Sequence, residues 1–154
     1  SDLGEVKKIV AGAGLTQVQL HGKESVDYCR ELKDWNRSLT VCKTFLIGRL
    51  AAAPDLSLYH GVIDCLLFDT YVKCLDGGTG QVFNWDKLDK RRIDLPMILA
   101  GGLNPDNVAE AIVKTTPYAL DVNSGVEDHP GVKNHQLLAR LIANVRTAER
   151  QLST

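Results

Sequence analysis

The hydrophobic positions of this chain alternate between two kinds of run. Short, continuous apolar runs predict buried strands, and longer stretches with apolar residues three or four apart predict amphipathic helices. The resulting order is one helix followed by five strand–helix pairs, without a hairpin signal. Strands are expected over 16–20, 39–45, 62–68, 96–100 and 118–122. Helices are expected over 2–13, 24–35, 84–90 and 131–152, and a further helix is capped by Asn104 and begins at Pro105. A helix or irregular crossover is expected over 48–59, and a loop over 72–83.

This strict alternation predicts an α/β fold built on a parallel sheet. An open, doubly wound sheet and part of a (β/α) barrel both agree with it. A complete barrel of this type has eight strands and at least about 200 residues. The 154 residues, 1–154, are therefore expected to form one (β/α) domain, whose five strands cannot close such a barrel alone.

Two turns of small residues follow the last two predicted strands. Gly101-Gly102 ends the fourth strand, and Asn123-Ser124-Gly125 ends the fifth. Turns of this composition bring backbone N–H groups close to an anion, because no bulky side chain stands between them. The pair predicts a phosphate site.

Polar residues also stand where the other apolar runs stop. His21 follows the first strand, Lys43 lies near the end of the second, and Asp69 follows the third. Ligands of parallel α/β folds bind at the carboxyl ends of the strands. These positions therefore predict one polar rim around a binding site.

Composition and charge narrow the class of protein. Hydrophobic residues make up 44% and charged residues 24%, and the net charge of −1 favours neither nucleic acid nor an acidic membrane surface as a partner. Neither an apolar run long enough to span a membrane nor a signal peptide is visible. The chain begins with Ser1 rather than Met, which leaves room for an upstream segment.

The four cysteines do not form a metal or disulfide motif. Cys29, Cys42, Cys65 and Cys74 lack C-x-x-C spacing and a matching histidine pair. Buried, reduced thiols are the favoured interpretation, as in a reducing cytoplasm, and no metal site is expected.

Four motifs follow one another along the chain. They are Val18-Gln19-Leu20-His21-Gly22; Leu67-Phe68-Asp69-Thr70 with Gly77-Gly78-Thr79-Gly80 and Phe83-Asn84-Trp85; Leu99 to Val108; and Asp121 to Glu127 with Pro130-Gly131 and Lys133. In this order they resemble the motifs of the phosphoribosylanthranilate isomerase family of tryptophan biosynthesis. The resemblance extends over essentially the whole chain and corresponds to the family's part from the third helix to the C-terminus.

The resemblance implies a (β/α)8 barrel of TIM-barrel type, of which this chain holds five strand–helix units, so that the barrel is incomplete. Enzymes of the family convert an aminoaldose phosphate to an aminoketose phosphate by an Amadori rearrangement, without a metal or organic cofactor. A general acid opens the ribose ring and a general base removes the C2′ proton. Carried over, Asp69 is the general acid, and the small-residue turns bind the substrate phosphate. The implied phosphate-binding residues are Gly101, Gly102, Asn123, Ser124 and Gly125, and the candidate pocket residues are His21, Lys43, Gly78 and Asp121.

Each of these residues also has a structural interpretation. Asp69 can cap a turn, His21 can fix its own loop, Asp121 can satisfy backbone donors, and Lys43 can balance a carboxylate. The turn glycines and Ser124 can be ordinary turn residues. Further expectations are surface positions for His60, His129 and His135, a flexible loop at Gly77 to Gly80, and packing of Phe83 and Trp85 against the following helix.

The chain departs from the family pattern at the general base. The cysteine base, which the family carries in a Lys-x-Cys-Gly motif on its first strand, has no counterpart, and neither has the arginine that follows the second strand. Asn123 and Asn84 replace a commoner serine and aspartate.

Three hypotheses follow. The first is that the chain is part of a true isomerase, with the other strands upstream or on another polypeptide. The second is a non-catalytic remnant that binds a sugar phosphate or associates with itself through its exposed sheet edges. The third is a different phosphate-binding barrel enzyme, such as a histidine-pathway isomerase or thiamin phosphate synthase. The motifs from Gln19 to Gly22 and from Asp121 to Glu127 argue against the third.

Overall fold

A computed structural model describes residues 2–46, 55–69 and 94–152 of the chain. The predictions for 72–83 and 84–90 lie outside these ranges, as does most of the crossover predicted over 48–59. The same holds for Cys74, Gly77 to Gly80, Phe83, Asn84 and Trp85. Within 55–69, a short 3₁₀ helix, Leu56–Tyr59, precedes the third strand.

The predicted parallel sheet is confirmed. Five strands lie side by side in chain order, and all four pairings are parallel. The third begins three residues later than predicted, and the fifth is only two residues long. The strands are β1 (Gln17–Leu20), β2 (Thr40–Leu46), β3 (Cys65–Asp69), β4 (Met97–Ala100) and β5 (Ala119–Leu120).

The sheet has two chemically different faces, because successive side chains of a strand point to opposite sides. Val41, Leu66 and Leu99 belong to the main core, which also contains the buried Val10 and Leu32 of the first two helices. We call this side the helix face. The opposite side, here called the cysteine face, carries a separate buried cluster of Cys42, Cys65, Leu67 and Ala100.

Two helices before β2 begin and end at residues whose side chains or backbone suit a helix terminus. Helix α1 (Leu3–Ala13) has Asp2 as N-cap and ends at Gly14, whose φ of 64° is left-handed. Helix α2 (Val26–Trp35) starts two residues later than predicted, with Ser25 as its cap. The carboxylate of Glu24 is instead engaged by Lys43, as described below.

Helix α3 (Val108–Thr115) also begins later than predicted. Asn104 does cap, but it caps a separate turn: its Oδ1 accepts from the backbone N–H groups of Asp106 and Asn107. Val108 and Ile112 then face a second core, which α3 shares with Leu141 of the terminal helix.

The prediction of a fold without a hairpin was wrong. Strands β6 (Glu127–His129) and β7 (Val132–Lys133) form an antiparallel pair before helix α4 (His135–Leu152). Gly131 adopts a φ of 84° at the reversal, which glycine tolerates. Most hairpin residues are exposed and polar, so no hydrophobic alternation revealed them. None of the described helices has the length and apolarity needed to cross a bilayer.

Candidate functional site

The carboxyl ends of four strands surround one cavity of about 210 Å³. It lies where parallel α/β folds bind ligands. Most of the predicted site residues meet there. Its described lining consists of His21, Leu67, Asp69, Ala100, Gly101, Gly102, Leu103, Asp121, Asn123, Ser124 and Gly125.

The register explains why two aspartates share this cavity. Asp69 is paired with Ala100 across β3 and β4, and the backbone N–H of Asp121 donates to the carbonyl of Leu99 at 2.9 Å. Asp69 and Asp121 therefore stand in one row on the cysteine face, with one strand between them. The side chain of Asp69 is 20% exposed, and its Oδ2 lies 3.9 Å from Nε2 of His21.

The first small-residue turn depends on left-handed backbone. Gly101 and Gly102 have φ values of 86° and 67°, a region that residues with a Cβ rarely enter. The buried side chain of Asn107 braces this loop: its Nδ2 donates to the Gly102 carbonyl at 3.0 Å, and its Oδ1 accepts from the Asn104 N–H at 2.9 Å. Asn107 therefore holds the loop that follows β4.

The second turn packs directly against the first. A Cβ at Gly125 would lie 1.8 Å from the carbonyl oxygen of Leu103, so no side chain fits there. Lys133 braces this turn from the hairpin, because its Nζ donates to the Asn123 carbonyl at 2.8 Å and to Glu127 at 2.8 Å. The hydrogen bond from Lys133 outweighs desolvation and lowers the pKa of Glu127.

The lining has a distinctive charge pattern. Among its described residues the ionisable ones are His21, Asp69 and Asp121, and none is a lysine or arginine. Among the described lining, an anion would therefore be bound by N–H groups of the two turns and by the Ser124 hydroxyl, because these residues include neither lysine nor arginine.

Lys43 does not line the cavity. It lies on the helix face with Val41 and Phe45, and it is 3% exposed. Its Nζ donates to the Gly22 carbonyl at 2.8 Å and to Glu24 at 3.0 Å. Burial alone would raise the pKa of Glu24, but the bond and charge of Lys43 outweigh it and lower that pKa below 4.5. Lys43 was predicted either to line the pocket or to balance a carboxylate. Its contact with Glu24 fits the second interpretation, and its position on the helix face does not fit the first.

Replacing Lys43 with methionine should destabilise the fold by about 3 kcal/mol, because a largely buried carboxylate is left unpaired. The measurement is urea unfolding at pH 7. Adding Glu24→Gln to Lys43→Met should recover much of the loss. Since the pKa of Glu24 is lowered on folding, the pair's contribution is present above the unfolded pKa and disappears as the pH falls through the folded value. A loss equal at pH 7 and pH 3 would contradict this account.

The Asn107 brace gives a second prediction. Asn107→Asp keeps the acceptor for the Asn104 N–H but loses the donor to the Gly102 carbonyl, so we expect a loss of about 1–3 kcal/mol in unfolding free energy. Binding of inorganic phosphate should weaken in parallel. The matched control is Asn104→Asp, which adds the same charge and retains its two accepted bonds. It loses only the long contact of 3.5 Å from its Nδ2 to the Gly102 carbonyl, so we expect a smaller effect. Equal effects of the two variants would argue against the brace.

The described cysteines are free and buried. Burial raises the pKa of Cys29 to about 11, and burial together with the hydrogen bond to Cys65 raises that of Cys42 to about 12. Thiols held protonated in this way are poor bases. None of the three lines the cavity, which agrees with the expectation of structural, reduced cysteines.

Gly78 lies outside the described residues. His60, His129 and His135 are exposed, as expected. Sequence reasoning assigned no role to Asn107, Lys133 or Gln19, whose side chain contacts His21. The signals were weak: Asn107 follows the glycine turn by five residues, and Lys133 follows Asn123 by ten.

Comparison with known proteins gives one consistent family. Residues 1–144 match the family described as N-(5′-phosphoribosyl)anthranilate (PRA) isomerase. A relative of that name from Rippkaea orientalis is 39% identical over 95% of this chain and 68% of its own length. Another from a Synechococcus species is 40% identical over 92% of this chain and 62% of its own length.

Solved structures agree. Phosphoribosyl anthranilate isomerase from Thermotoga maritima superimposes with a TM-score of 0.72 and 29% identity, over 96% of this chain and 69% of that one. A phosphoribosyl anthranilate isomerase in complex with reduced 1-(o-carboxyphenylamino)-1-deoxyribulose 5-phosphate gives a TM-score of 0.68 and 27% identity, over 96% and 68% of the two chains. A thiamine phosphate pyrophosphorylase from Pyrococcus furiosus, at 17% identity, shares the fold alone.

The chain spans 62–70% of the length of the curated relatives that it matches. Within that span, the family model and the relatives bear out the function predicted from the four motifs and disfavour the third hypothesis. The chain belongs to the N-(5′-phosphoribosyl)anthranilate isomerase family.

Proposed function

We propose that this chain supplies the general acid and the phosphate-binding turns of a phosphoribosylanthranilate isomerase. The observation that carries the proposal is the single cavity in which Asp69 meets both small-residue turns. A sugar phosphate held by its phosphate at one end thereby presents its ring to a carboxyl group at the other. The chain corresponds to the family's part from the third helix onward, in keeping with five strand–helix units and about two thirds of a relative's length.

Asp69 acts on the ring oxygen of the ribose. Its carboxyl proton moves to that oxygen, the bond from the oxygen to C1′ breaks, and the electron pair of the anthranilate nitrogen forms the C=N bond. Removal of the C2′ proton then gives an enamine that becomes the ketose. Asp69 follows four buried residues of β3, and its largely buried position restricts water at the reacting group.

The phosphate is held by Gly101, Gly102, Asn123, Ser124 and Gly125. Both turns lie at carboxyl ends of strands, and the braces from Asn107 and Lys133 fix them before a ligand arrives. Preformed N–H donors lose little entropy on binding, so amides can substitute for a lysine or arginine. Asp121 and His21 complete the rim beside the sugar.

The base that removes the C2′ proton comes from a complementary part of the barrel. The described cysteines are buried and carry raised pKa values, and none lines the cavity.

The complementary part, or a second copy of this chain, associates at the β5 side of the sheet. A second cavity of about 520 Å³ lies between α3, β5 and α4, and Tyr118, Ile142 and Leu152 on its wall are unusually exposed for large apolar residues. In the described chain β5 pairs on one side only, with β4, and a parallel edge of this kind offers N–H and C=O groups to a further strand.

The test is turnover of phosphoribosylanthranilate, followed by chromatography of substrate and product. The chain is assayed alone and with a separately expressed fragment of the Rippkaea orientalis relative that holds the first three strands and the two helices between them. We expect turnover to appear, or to rise strongly, when the fragment is added. Binding of the reduced product analogue without turnover in either mixture would instead identify a non-catalytic sugar-phosphate-binding remnant. If the chain neither turns over the substrate nor binds the analogue in either mixture, the proposal is overturned.

A further inference from the structure

Three side chains form a line that leads from the edge of the sheet to Asp69. Gln19 and His21 project from alternate positions of the β1 segment and therefore lie on the same side. The side-chain amide nitrogen of Gln19 is 3.4 Å from Nδ1 of His21, and Nε2 of the same ring is 3.9 Å from Oδ2 of Asp69. Each ring nitrogen of His21 thus faces a different partner.

The two partners select the same tautomer. The amide nitrogen of Gln19 has only protons to offer, so Nδ1 must accept, and a neutral ring that accepts at Nδ1 carries its proton at Nε2. That proton points toward the carboxyl group of Asp69, which in its ionised form can only accept. Contacts on opposite sides of the ring therefore agree on the Nε2–H form.

We propose that Gln19 is a positioning residue that acts through His21 on Asp69. This inference rests on the proposed role of Asp69 as general acid. At 3.9 Å the contact from Nε2 to Oδ2 is longer than a hydrogen bond. After Asp69 has given its proton to the ring oxygen, the charge on the carboxylate that remains draws the two groups together, and the carboxylate accepts a hydrogen bond from Nε2–H. His21 stays neutral and transfers no proton of its own, so the step needs no further reactant. The bond from Gln19 keeps the donor, rather than a lone pair, aimed at the carboxylate.

Other charged groups near the ring do not replace this contact. Asp69 approaches from β3, and Asp121 from the β5 end lines the same cavity. Glu24 follows β1 in the chain, and Lys43 lies on the neighbouring strand β2. The two pair with each other at 3.0 Å, and Lys43 lies on the helix face. Among the described contacts to Nδ1, the amide of Gln19 is the one that sets the tautomer.

The tautomer is measured directly by ¹⁵N NMR of the imidazole at pH ~8.5, where an ordinary histidine is neutral. The wild-type chain should show the Nε2–H form. Gln19→Leu should give a mixture, and Gln19→Glu should give the Nδ1–H form, because a carboxylate at this position accepts. The Asp69 carboxyl carbon resonance should move in Gln19→Glu, which has lost the donor that faces it. These readouts do not require turnover.

The kinetic test separates positioning from a merely structural role. For Gln19→Leu we expect kcat to fall about twofold with KM nearly unchanged, because part of the tautomer mixture still presents Nε2–H to Asp69. For Gln19→Glu we expect kcat to fall by about tenfold, the size of one hydrogen bond to a charged group, because its ring presents a lone pair at Nε2. The matched control, Gln17→Leu, makes the same change two positions earlier on the same side of β1.

The outcomes are distinguishable. An Nδ1–H ring in the wild-type chain overturns the inference, whatever the activity. The expected tautomers with unchanged kinetics in both Gln19 variants overturn the positioning role, as does a loss in Gln17→Leu equal to that in Gln19→Leu. If the active preparation keeps its rate in Asp69→Asn, the proposed function of Asp69 fails instead. If no preparation turns over, an Asp69 carboxyl resonance that is insensitive to Gln19→Glu overturns the coupling.

Discussion

Replacing Asp69 with asparagine is expected to lower kcat by about 10²- to 10⁴-fold, the usual contribution of a general acid. Asparagine has the same shape but carries no acidic proton, so ring opening loses its proton source while the cavity keeps its form. A thousandfold loss corresponds to about 4 kcal/mol of transition-state stabilisation. The measurement is steady-state turnover of phosphoribosylanthranilate by the form that is active, either the chain alone or the chain with the complementary fragment.

The control for this variant is binding. Asp69 lies beside the phosphate turns but belongs to neither, so Asp69→Asn should bind the reduced product analogue within a few-fold of the wild-type affinity. A variant that keeps more than a tenth of the wild-type kcat would contradict the assignment of the acid. Equal losses of turnover and analogue binding would point to a structural role at the rim.

The largest effect on binding is expected from Gly125→Ala. The added Cβ would lie 1.8 Å from the Leu103 carbonyl oxygen, and that atom is backbone of the opposing turn. The two turns must separate, so phosphate binding should fall by at least about tenfold, and overpacking should lower the unfolding free energy by about 1–3 kcal/mol. Isothermal titration with inorganic phosphate and urea unfolding measure the two effects.

Gly12→Ala is the matched control. Gly12 lies within α1, and a Cβ there meets no atom within 4 Å. Alanine favours a helix interior over glycine by about 0.5–1 kcal/mol, so this variant should be slightly more stable and bind phosphate normally. Loss of phosphate binding in both variants would show that the effect is not local to the turns.

The sheet was predictable because hydrophobic runs and the glycine turns carry most of the signal. Val62 and Ile63 are buried as their apolarity suggests, yet they precede β3, because burial alone does not distinguish a strand from the turn that leads into it. The hairpin of Glu127–His129 and Val132–Lys133 escaped prediction because exposed polar strands leave no periodic pattern.

The site residues were predictable where a polar or glycine residue directly follows a strand. Asp69, Gly101 and Ser124 follow apolar runs, and the structure brings them to one cavity. Lys43 shows the limit of that reasoning. A side chain near a strand end reaches the site only from the correct face, and the alternation of β2 points Lys43 to the helix face. Which face is correct depends on packing between distant segments.

Bracing residues were also beyond a local reading of the sequence. Asn107 is buried and satisfies both a carbonyl and an N–H of a loop that begins several residues earlier. Lys133 reaches Asn123 only because the hairpin folds back. Such roles depend on tertiary contacts, and residue type alone predicts a solvent-exposed amide or ammonium group equally well.

The central claim is that the two turns bind the substrate phosphate beside Asp69. The most direct measurement is an amide ¹H–¹⁵N NMR titration of the labelled chain with inorganic phosphate and then with the reduced product analogue. The account predicts that both ligands shift the amides of Gly101, Gly102, Ser124 and Gly125, and that the analogue alone also shifts Asp69 and His21. Shifts confined to other surfaces, or none at saturating analogue, would contradict it.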